Sequence, residues 1–161
     1  MILLQEKNKN IEFYSILKNL KENNVIIENM KTYEDLISQA LKMLDFSYVP
    51  YSHFHVGAAL LAKNGTVYTG CNIENSSFGA TNCAERTAIF KAVSEGVKDF
   101  EAIAVVGGLN GKIEDFCPPC GICRQVMREF CNQDFKIILA KSPSDYKVYT
   151  LADLLPESFS L

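Results

Sequence analysis

Apolar residues follow two periods along this chain, and their alternation predicts a layered α/β domain. After Thr32, apolar side chains recur every three or four positions, which predicts an amphipathic helix over 32–44 capped by that threonine. Residues 56–62 form an almost unbroken apolar run, which is typical of a strand buried on both faces. An Asn-Gly pair then favours a hairpin turn, so that 67–74 is the returning strand.

The second half of the chain alternates helical and strand patterns. Helices are predicted over 83–95 and 120–130 with a last turn over 151–155, strands over 102–106, 136–140 and 146–150, and a glycine-rich loop over 107–111. This order predicts a three-layer α/β/α sandwich with a mixed five-stranded sheet, in which an antiparallel hairpin is followed by parallel crossovers. Residues 1–31 are expected to be an N-terminal extension, either helical or partly disordered, before a domain over 32–161.

Composition narrows the classes of function that fit the chain. The 161 residues suit one domain, and 48% of them are hydrophobic. A net charge of −3 argues against a broad electrostatic surface for nucleic acid. No apolar run approaches the roughly 18 residues that span a bilayer, and the opening apolar run is too short for a signal peptide. A cytoplasmic protein without nucleic-acid or membrane partners is therefore expected.

Six cysteines favour a metal site over disulfides if the chain stays in a reducing compartment. Cys83 lies at one predicted helix start, and Cys120 and Cys123 lie at another. Helix N-termini stabilise thiolates, because the aligned backbone dipoles favour negative charge there. Zinc prefers four tetrahedral ligands, so three cysteines leave one position open, as in catalytic rather than structural sites.

Two charged residues close to Cys83 in the sequence are suited to assist a hydrolytic reaction at this cluster. Three thiolates on a divalent ion leave one net negative charge, which weakens activation of a water molecule. Arg86, three residues after Cys83, is predicted to hydrogen-bond the ligand sulfurs and offset that charge. Glu85 is the predicted general acid and base. Residues two apart on a helix point roughly 200° from each other. Cys83 must therefore lie at the helix cap if Cys83 and Glu85 are to reach the same metal ion.

Other arrangements of these residues remain open. Cys117 is able to complete a four-thiolate structural zinc site in a protein without chemistry of its own. An iron–sulfur motif is incomplete, because its fourth cysteine would fall at Met127. His53 and His55 are expected to be surface or partly buried polar groups rather than ligands.

The two cysteine motifs resemble those of a known family. Cys-Ala-Glu-Arg at 83–86 and Pro-Cys-Gly-Ile-Cys-Arg-Gln at 119–125 are similar to the zinc motifs of the small, homotetrameric cytidine deaminases. Further similar segments lie, in the same order, at 48–59, 70–75 and 154–159. The resemblance covers about residues 33–160.

This resemblance implies an activity and an assembly. The expected reaction is hydrolytic deamination of cytidine and 2′-deoxycytidine to the uridines with release of ammonia, a step of pyrimidine salvage. It implies one zinc per chain held by Cys83, Cys120 and Cys123, with Glu85 as the proton shuttle. It also implies a homotetramer in which neighbouring subunits complete each other's sites.

The resemblance also implies residues that contact the nucleoside. Phe54 is expected to pack on the pyrimidine, and Asn72 and Glu74 to hold the ribose and its 3′-hydroxyl. The main chain of Ala84 is expected to accept a hydrogen bond from the substrate's amino group. Phe159 is expected to enter the site of a neighbouring subunit.

Phe78 departs from the family pattern, since members often carry tyrosine there. A relative that deaminates a modified nucleoside or a nucleoside antibiotic remains an alternative, although Asn72 and Glu74 favour ordinary nucleosides.

Overall fold

The computed structural model describes residues 32–160, and the expected extension over 1–31 lies outside the described residues. The first described helix is α1, Tyr33–Lys42, which continues into a single 3₁₀ turn, Met43–Phe46. The predicted cap is confirmed, because the Thr32 hydroxyl accepts from the Asp35 amide and the Asp35 carboxylate accepts from the Thr32 amide.

Five strands, three further α-helices and a second 3₁₀ turn, Phe78–Ala80, complete the described part of the chain. The strands are β1 (Phe54–Ala62), β2 (Val67–Cys71), β3 (Phe100–Leu109), β4 (Lys136–Ser142) and β5 (Asp145–Thr150). The helices are α2 (Ala84–Ser94), α3 (Gly121–Phe130) and α4 (Leu151–Leu154). The strands form one sheet in the order β2-β1-β3-β4-β5.

Strand directions confirm the hairpin and two parallel crossovers but correct the end of the sheet. β1 and β2 are antiparallel across the predicted turn, where Gly65 has a φ of 85°. α2 connects β2 to β3, which run parallel because both are antiparallel to β1, and α3 connects β3 to its parallel neighbour β4. β5 is antiparallel to β4, so the prediction of only parallel crossovers after the first hairpin is wrong. Two residues separate β4 from β5, whereas a parallel connection needs about a dozen.

β3 extends through part of the predicted loop over 107–111. Gly107 and Gly108 pair with Val56 and His55 of β1, so they are strand residues rather than turn residues. A Cβ at Gly108 would overlap the carbonyl of Lys112, and one at Gly107 would lie 2.9 Å from the Cys117 sulfur. These glycines therefore allow the following chain to approach the strand closely.

Two cores lie on opposite faces of the sheet and confirm the three-layer α/β/α sandwich. One face packs against α1 through the buried residues Leu36, Ile37, Ala40, Ala59, Leu61, Ala104 and Ile138. The other face packs against α2, α3 and α4 through Ala58, Leu60, Ala88, Ile89, Ile103, Met127 and Leu151. No helix within residues 32–160 is long and apolar enough to cross a membrane.

Close contact between β2 and α2 depends on Gly70. A Cβ there would overlap the Ala84 carbonyl oxygen and lie 2.5 Å from the Ala88 nitrogen, both of them helix backbone. Gly70→Ala is therefore expected to lower the free energy of unfolding by about 1–3 kcal/mol, measured by urea denaturation. Gly79→Ala is the matched control, because a Cβ there meets nothing within 4 Å. Equal stability of the two variants would contradict this account.

Candidate metal centre

Two helix starts bring the three predicted cysteine ligands together. Cys83 is the N-cap of α2, with an extended backbone at φ −77° and ψ 157°, which confirms the predicted cap position. Cys120 is the N-cap of α3, and its sulfur accepts a hydrogen bond from the Cys123 amide at 3.5 Å. Both cap side chains therefore lie where main-chain N–H groups are unpaired by the helix.

The sulfur atoms of Cys83, Cys120 and Cys123 lie within 4.8 Å of one another. The distance between the sulfurs of Cys83 and Cys120 is 3.8 Å. Tetrahedral coordination with bonds of ~2.3 Å would set neighbouring sulfurs about 3.8 Å apart, so this spacing fits a zinc ion. Thiolates are also ligands that zinc prefers. The arrangement thus fits the predicted zinc site, with Cys123 buried and Cys120 exposed.

Hydrogen bonds favour the charged form of Cys83. A hydrogen bond from the Cys123 thiol and a weaker one from the Arg86 guanidinium together lower the pKa of Cys83 to about 5. The Arg86 Nη2 lies 3.5 Å from the Cys83 sulfur and donates to the Thr81 carbonyl at 3.0 Å. Arg86 is thus held by main chain on one side and contacts the sulfur on the other.

Glu85 is the one charged side chain in residues 32–160 that is buried, with 4% of its surface exposed. Burial raises the pKa of Glu85 to about 7, and the negative charge of Cys83 acts in the same direction. A carboxyl group with a pKa near neutral can both accept and return a proton.

Cys117 lies outside the group of three sulfurs. Its sulfur lies against Gly107 of β3. Burial, followed by the negative charges of Glu85 and Cys83, raises the pKa of Cys117 to about 12 and keeps it protonated. The geometry therefore does not support a closed four-sulfur structural site. Cys71 and Cys131 are buried core residues, and all six cysteines are free.

The side chain of Asn72 is engaged with the start of β1. Its Oδ1 accepts from the Val56 amide at 2.9 Å, and its Nδ2 donates to the Phe54 carbonyl at 2.8 Å. β2 ends at Cys71, so the side-chain amide of Asn72 continues the pairing between β2 and β1 beyond the end of β2. One N–H and one lone pair of the side-chain amide are left for another partner.

Glu74 is engaged with the same segment of chain, as its spacing of two residues from Asn72 indicated. Its Oε2 accepts from the main-chain amides of Tyr51 at 2.9 Å and Ser52 at 3.2 Å. Hydrogen bonds to Ser52 and to the Tyr51 main chain lower the pKa of Glu74, which keeps it charged. Its Oε1 takes no part in these two bonds.

Aromatic side chains beside Glu74 are exposed. Phe78 has 75% of its surface exposed and packs edge-to-face on Tyr51, with ring centroids 5.9 Å apart. A pocket of about 410 Å³ is lined by Tyr51, Ser52, Glu74, Phe78 and Thr81. Phe54 is 39% exposed at the first position of β1, and Phe159 is 68% exposed near the end of the described chain.

The main chain of Ala84 begins α2 directly after Cys83. Ala84 is the first residue of α2, so its carbonyl belongs to the helical hydrogen-bond ladder and faces Gly70 of β2. Its N–H, in contrast, has no acceptor inside the helix. The N–H of Ala84 is therefore available to donate a hydrogen bond, and the expected role of its carbonyl as an acceptor stays a prediction.

Several contacts that position these residues have no signal in the sequence. The Thr81 carbonyl holds Arg86, and the Thr87 hydroxyl donates to the Cys71 carbonyl and accepts from the Asn82 side chain. His55 bonds Ser47 and the 3₁₀ turn, which agrees with a partly buried polar role. The identity of a residue does not show whether its main-chain carbonyl accepts a hydrogen bond, so only the fold reveals such contacts.

In this α/β/α sandwich, three thiolates at two helix starts lie beside a buried glutamate. This arrangement defines a metal site suited to hydrolytic chemistry. Comparison with known families gives a more specific assignment. The model of the cytidine and deoxycytidylate deaminase zinc-binding region matches residues 30–139. The chain belongs to this family.

Similar proteins span most of the chain. A cytidine deaminase of Sporosarcina psychrophila is 54% identical over 127 residues, which cover 79% of this chain and 90% of the relative. One from Halalkalibacterium halodurans is 52% identical over 125 residues, covering 78% and 92%. A crystal structure of cytidine deaminase from Burkholderia pseudomallei superposes with a TM-score of 0.74 at 44% identity, covering 80% of this chain and all of that one. The predicted family, fold class and zinc-binding character are confirmed.

Proposed function

We propose that this chain catalyses the hydrolytic deamination of cytidine and 2′-deoxycytidine to uridine and 2′-deoxyuridine, with release of ammonia. The observation that carries the proposal is the group of three sulfurs with zinc-like spacing beside the buried Glu85. Membership of the deaminase family supports it. We assign the activity to a domain over 32–161 that holds one zinc through Cys83, Cys120 and Cys123.

Glu85 carries the proton transfers of this proposal. When bound, zinc supplies a Lewis acid that lowers the pKa of the attacking water. Glu85 takes a proton from that water and delivers it to N3 of the pyrimidine while oxygen adds at C4. Glu85 then takes the second proton from the hydroxyl now bound to C4 and delivers it to the amino group, the C4–N bond breaks, and ammonia leaves. A pKa of about 7 suits a group that both accepts and donates protons.

Arg86 has an electrostatic role in the proposal. Three thiolates leave the zinc site with one net negative charge, and the Arg86 guanidinium lies 3.5 Å from the Cys83 sulfur. Its positive charge offsets that excess, so the site remains able to acidify water.

The nucleoside is placed by groups on three segments. The main chain of Ala84 accepts a hydrogen bond from the substrate's amino group through its carbonyl, its N–H is available to an acceptor on the pyrimidine, and Phe54 packs on the ring. Asn72 and Glu74 bind the sugar with the N–H, the lone pair and the carboxylate oxygen that their bonds to 51–56 leave available. Because these contacts use the sugar hydroxyls, a free base and a nucleotide linked at the 3′ position are excluded.

A homotetramer is part of the proposal. Phe159, Phe78 and Tyr51 are each exposed over half or more of their surface, which a neighbouring copy would cover. In this assembly Phe159 encloses the base bound by a neighbouring subunit. We also propose a cytoplasmic enzyme of pyrimidine salvage with no nucleic-acid partner, in line with its net charge of −3.

The direct test is the fall in ultraviolet absorbance when the protein is mixed with cytidine. Cytidine and 2′-deoxycytidine should both be converted, with about one zinc per chain by metal analysis, while cytosine and 3′-cytidine monophosphate should not react. Conversion of a nucleoside antibiotic such as blasticidin S in preference to cytidine would overturn the substrate assignment. Zinc without turnover of any nucleoside would overturn the enzymatic proposal.

A further inference from the structure

Arg124 contacts two segments that lie far apart in the chain. Its Nε donates to the Pro119 carbonyl at 2.8 Å, and its Nη1 donates to the Leu154 carbonyl at 2.7 Å. The first contact lies next to the ligand Cys120, and the second begins the C-terminal segment, defined here as residues 154–160. We propose that Arg124 is a positioning residue that couples the zinc-ligand turn to this C-terminal segment.

The turn before α3 depends on this contact. Pro118 and Pro119 have no main-chain N–H, so neither residue can donate a hydrogen bond to hold the turn. Pro119 is fully buried, and its carbonyl is the last main-chain group before Cys120. A guanidinium on that carbonyl fixes the direction in which the chain enters the metal site.

The C-terminal segment depends on the same guanidinium. Leu154 ends α4, so its carbonyl has no acceptor role within that helix. Three other side chains hold the segment further along: Gln125 bonds the Phe159 carbonyl at 3.4 Å, Gln133 the Ser158 hydroxyl at 2.7 Å, and Arg128 the Ser160 hydroxyl at 3.2 Å. Arg124 alone among these four also contacts the zinc-ligand turn.

The chemistry of arginine suits this coupling. Its planar fork presents donors in fixed directions, so one side chain can bind two carbonyls that face it from different segments. A lysine ammonium, a compact point charge, can approach either carbonyl but does not fix their relative position. The inference deepens the proposed function, because it rests on Cys120 as a zinc ligand and on Phe159 as a residue that encloses the base.

Zinc release from the holoenzyme tests the turn side of this coupling. Arg124→Gln should release zinc to a colorimetric chelator about 10–100-fold faster than the wild type, since groups that orient metal ligands typically change affinity by that factor. Arg124→Lys should fall between the two. Arg128→Gln is the matched control, because Arg128 lies one turn further on α3 and its hydrogen bonds within residues 32–160 go to Cys131 and Ser160. Its release rate should equal that of the wild type.

A double-mutant cycle tests the coupling itself. Phe159→Ala should raise KM in the wild-type background, and it should raise KM less in the Arg124→Lys background, because there the segment is already displaced. Circular dichroism and melting temperature confirm that each variant is folded, and Arg124→Lys serves in both experiments if Arg124→Gln does not fold. Unchanged zinc release in Arg124→Lys, or additive effects on KM, would overturn the proposal. Failure of the proposed function is distinct, since zinc release is measured without substrate.

Discussion

Glu85→Gln is expected to lower kcat for cytidine by about 10²–10⁴-fold, the usual contribution of a general acid and base. The amide keeps the size of the side chain but cannot accept a proton from water or return one to the pyrimidine. Glu85 is not among the three sulfur ligands, so zinc content should remain at about one per chain. Absorbance assays give kcat and KM, and metal analysis gives the zinc content of the same samples.

Glu74→Gln is the matched control for this prediction. It makes the same change at a carboxylate that bonds main-chain amides of Tyr51 and Ser52 rather than adjoining the sulfurs. Its main effect should be on KM, because the proposed role of Glu74 is to bind the sugar. A Glu85→Gln enzyme that turns over cytidine at the wild-type rate would end the proposed mechanism. Loss of zinc in that variant would mean that Glu85 supports the metal site instead.

Local patterns predicted most of the fold because they depend on neighbours in sequence. The apolar periodicity after Thr32 and the Asn64-Gly65 turn each specify an element within about a dozen residues. The direction of β5 and the length of β3 were predicted wrongly for different reasons. The first depends on the two-residue connection at 143–144, and the second on Lys112 and Cys117 approaching the strand. Glycine favours both turns and close contacts, so its presence alone could not decide between them.

The metal centre was more predictable than its surroundings. Spacing alone placed Cys83 at a helix cap and predicted that Arg86 would contact its sulfur, and the structure has both features. The main-chain contacts of Asn72 and Arg124 required the fold, because each bonds carbonyl or amide groups of distant main chain. Side-chain chemistry is visible in a sequence, whereas the main-chain group that it meets is not.

Cys123→Ser is expected to abolish zinc binding, and turnover with it. Cys123 is fully buried and supplies one of three ligands, so the change removes a thiolate and leaves a hydroxyl, which is not a preferred zinc ligand. Metal analysis should fall from about one zinc per chain to near zero. The melting temperature of the wild type should fall when a chelator removes zinc, because the metal binds the native state. That of Cys123→Ser should not respond to the chelator.

Cys117→Ser separates loss of a ligand from loss of a buried sulfur. It makes the same substitution at a partly buried cysteine outside the group of three, six residues before Cys123 in the chain. It should keep its zinc, its chelator-sensitive melting temperature and most of its turnover. Zinc loss in Cys117→Ser with retention in Cys123→Ser would contradict the ligand assignment. Zinc loss in both variants would restore the closed four-sulfur site, and a closed site leaves no position for water and therefore no hydrolytic chemistry.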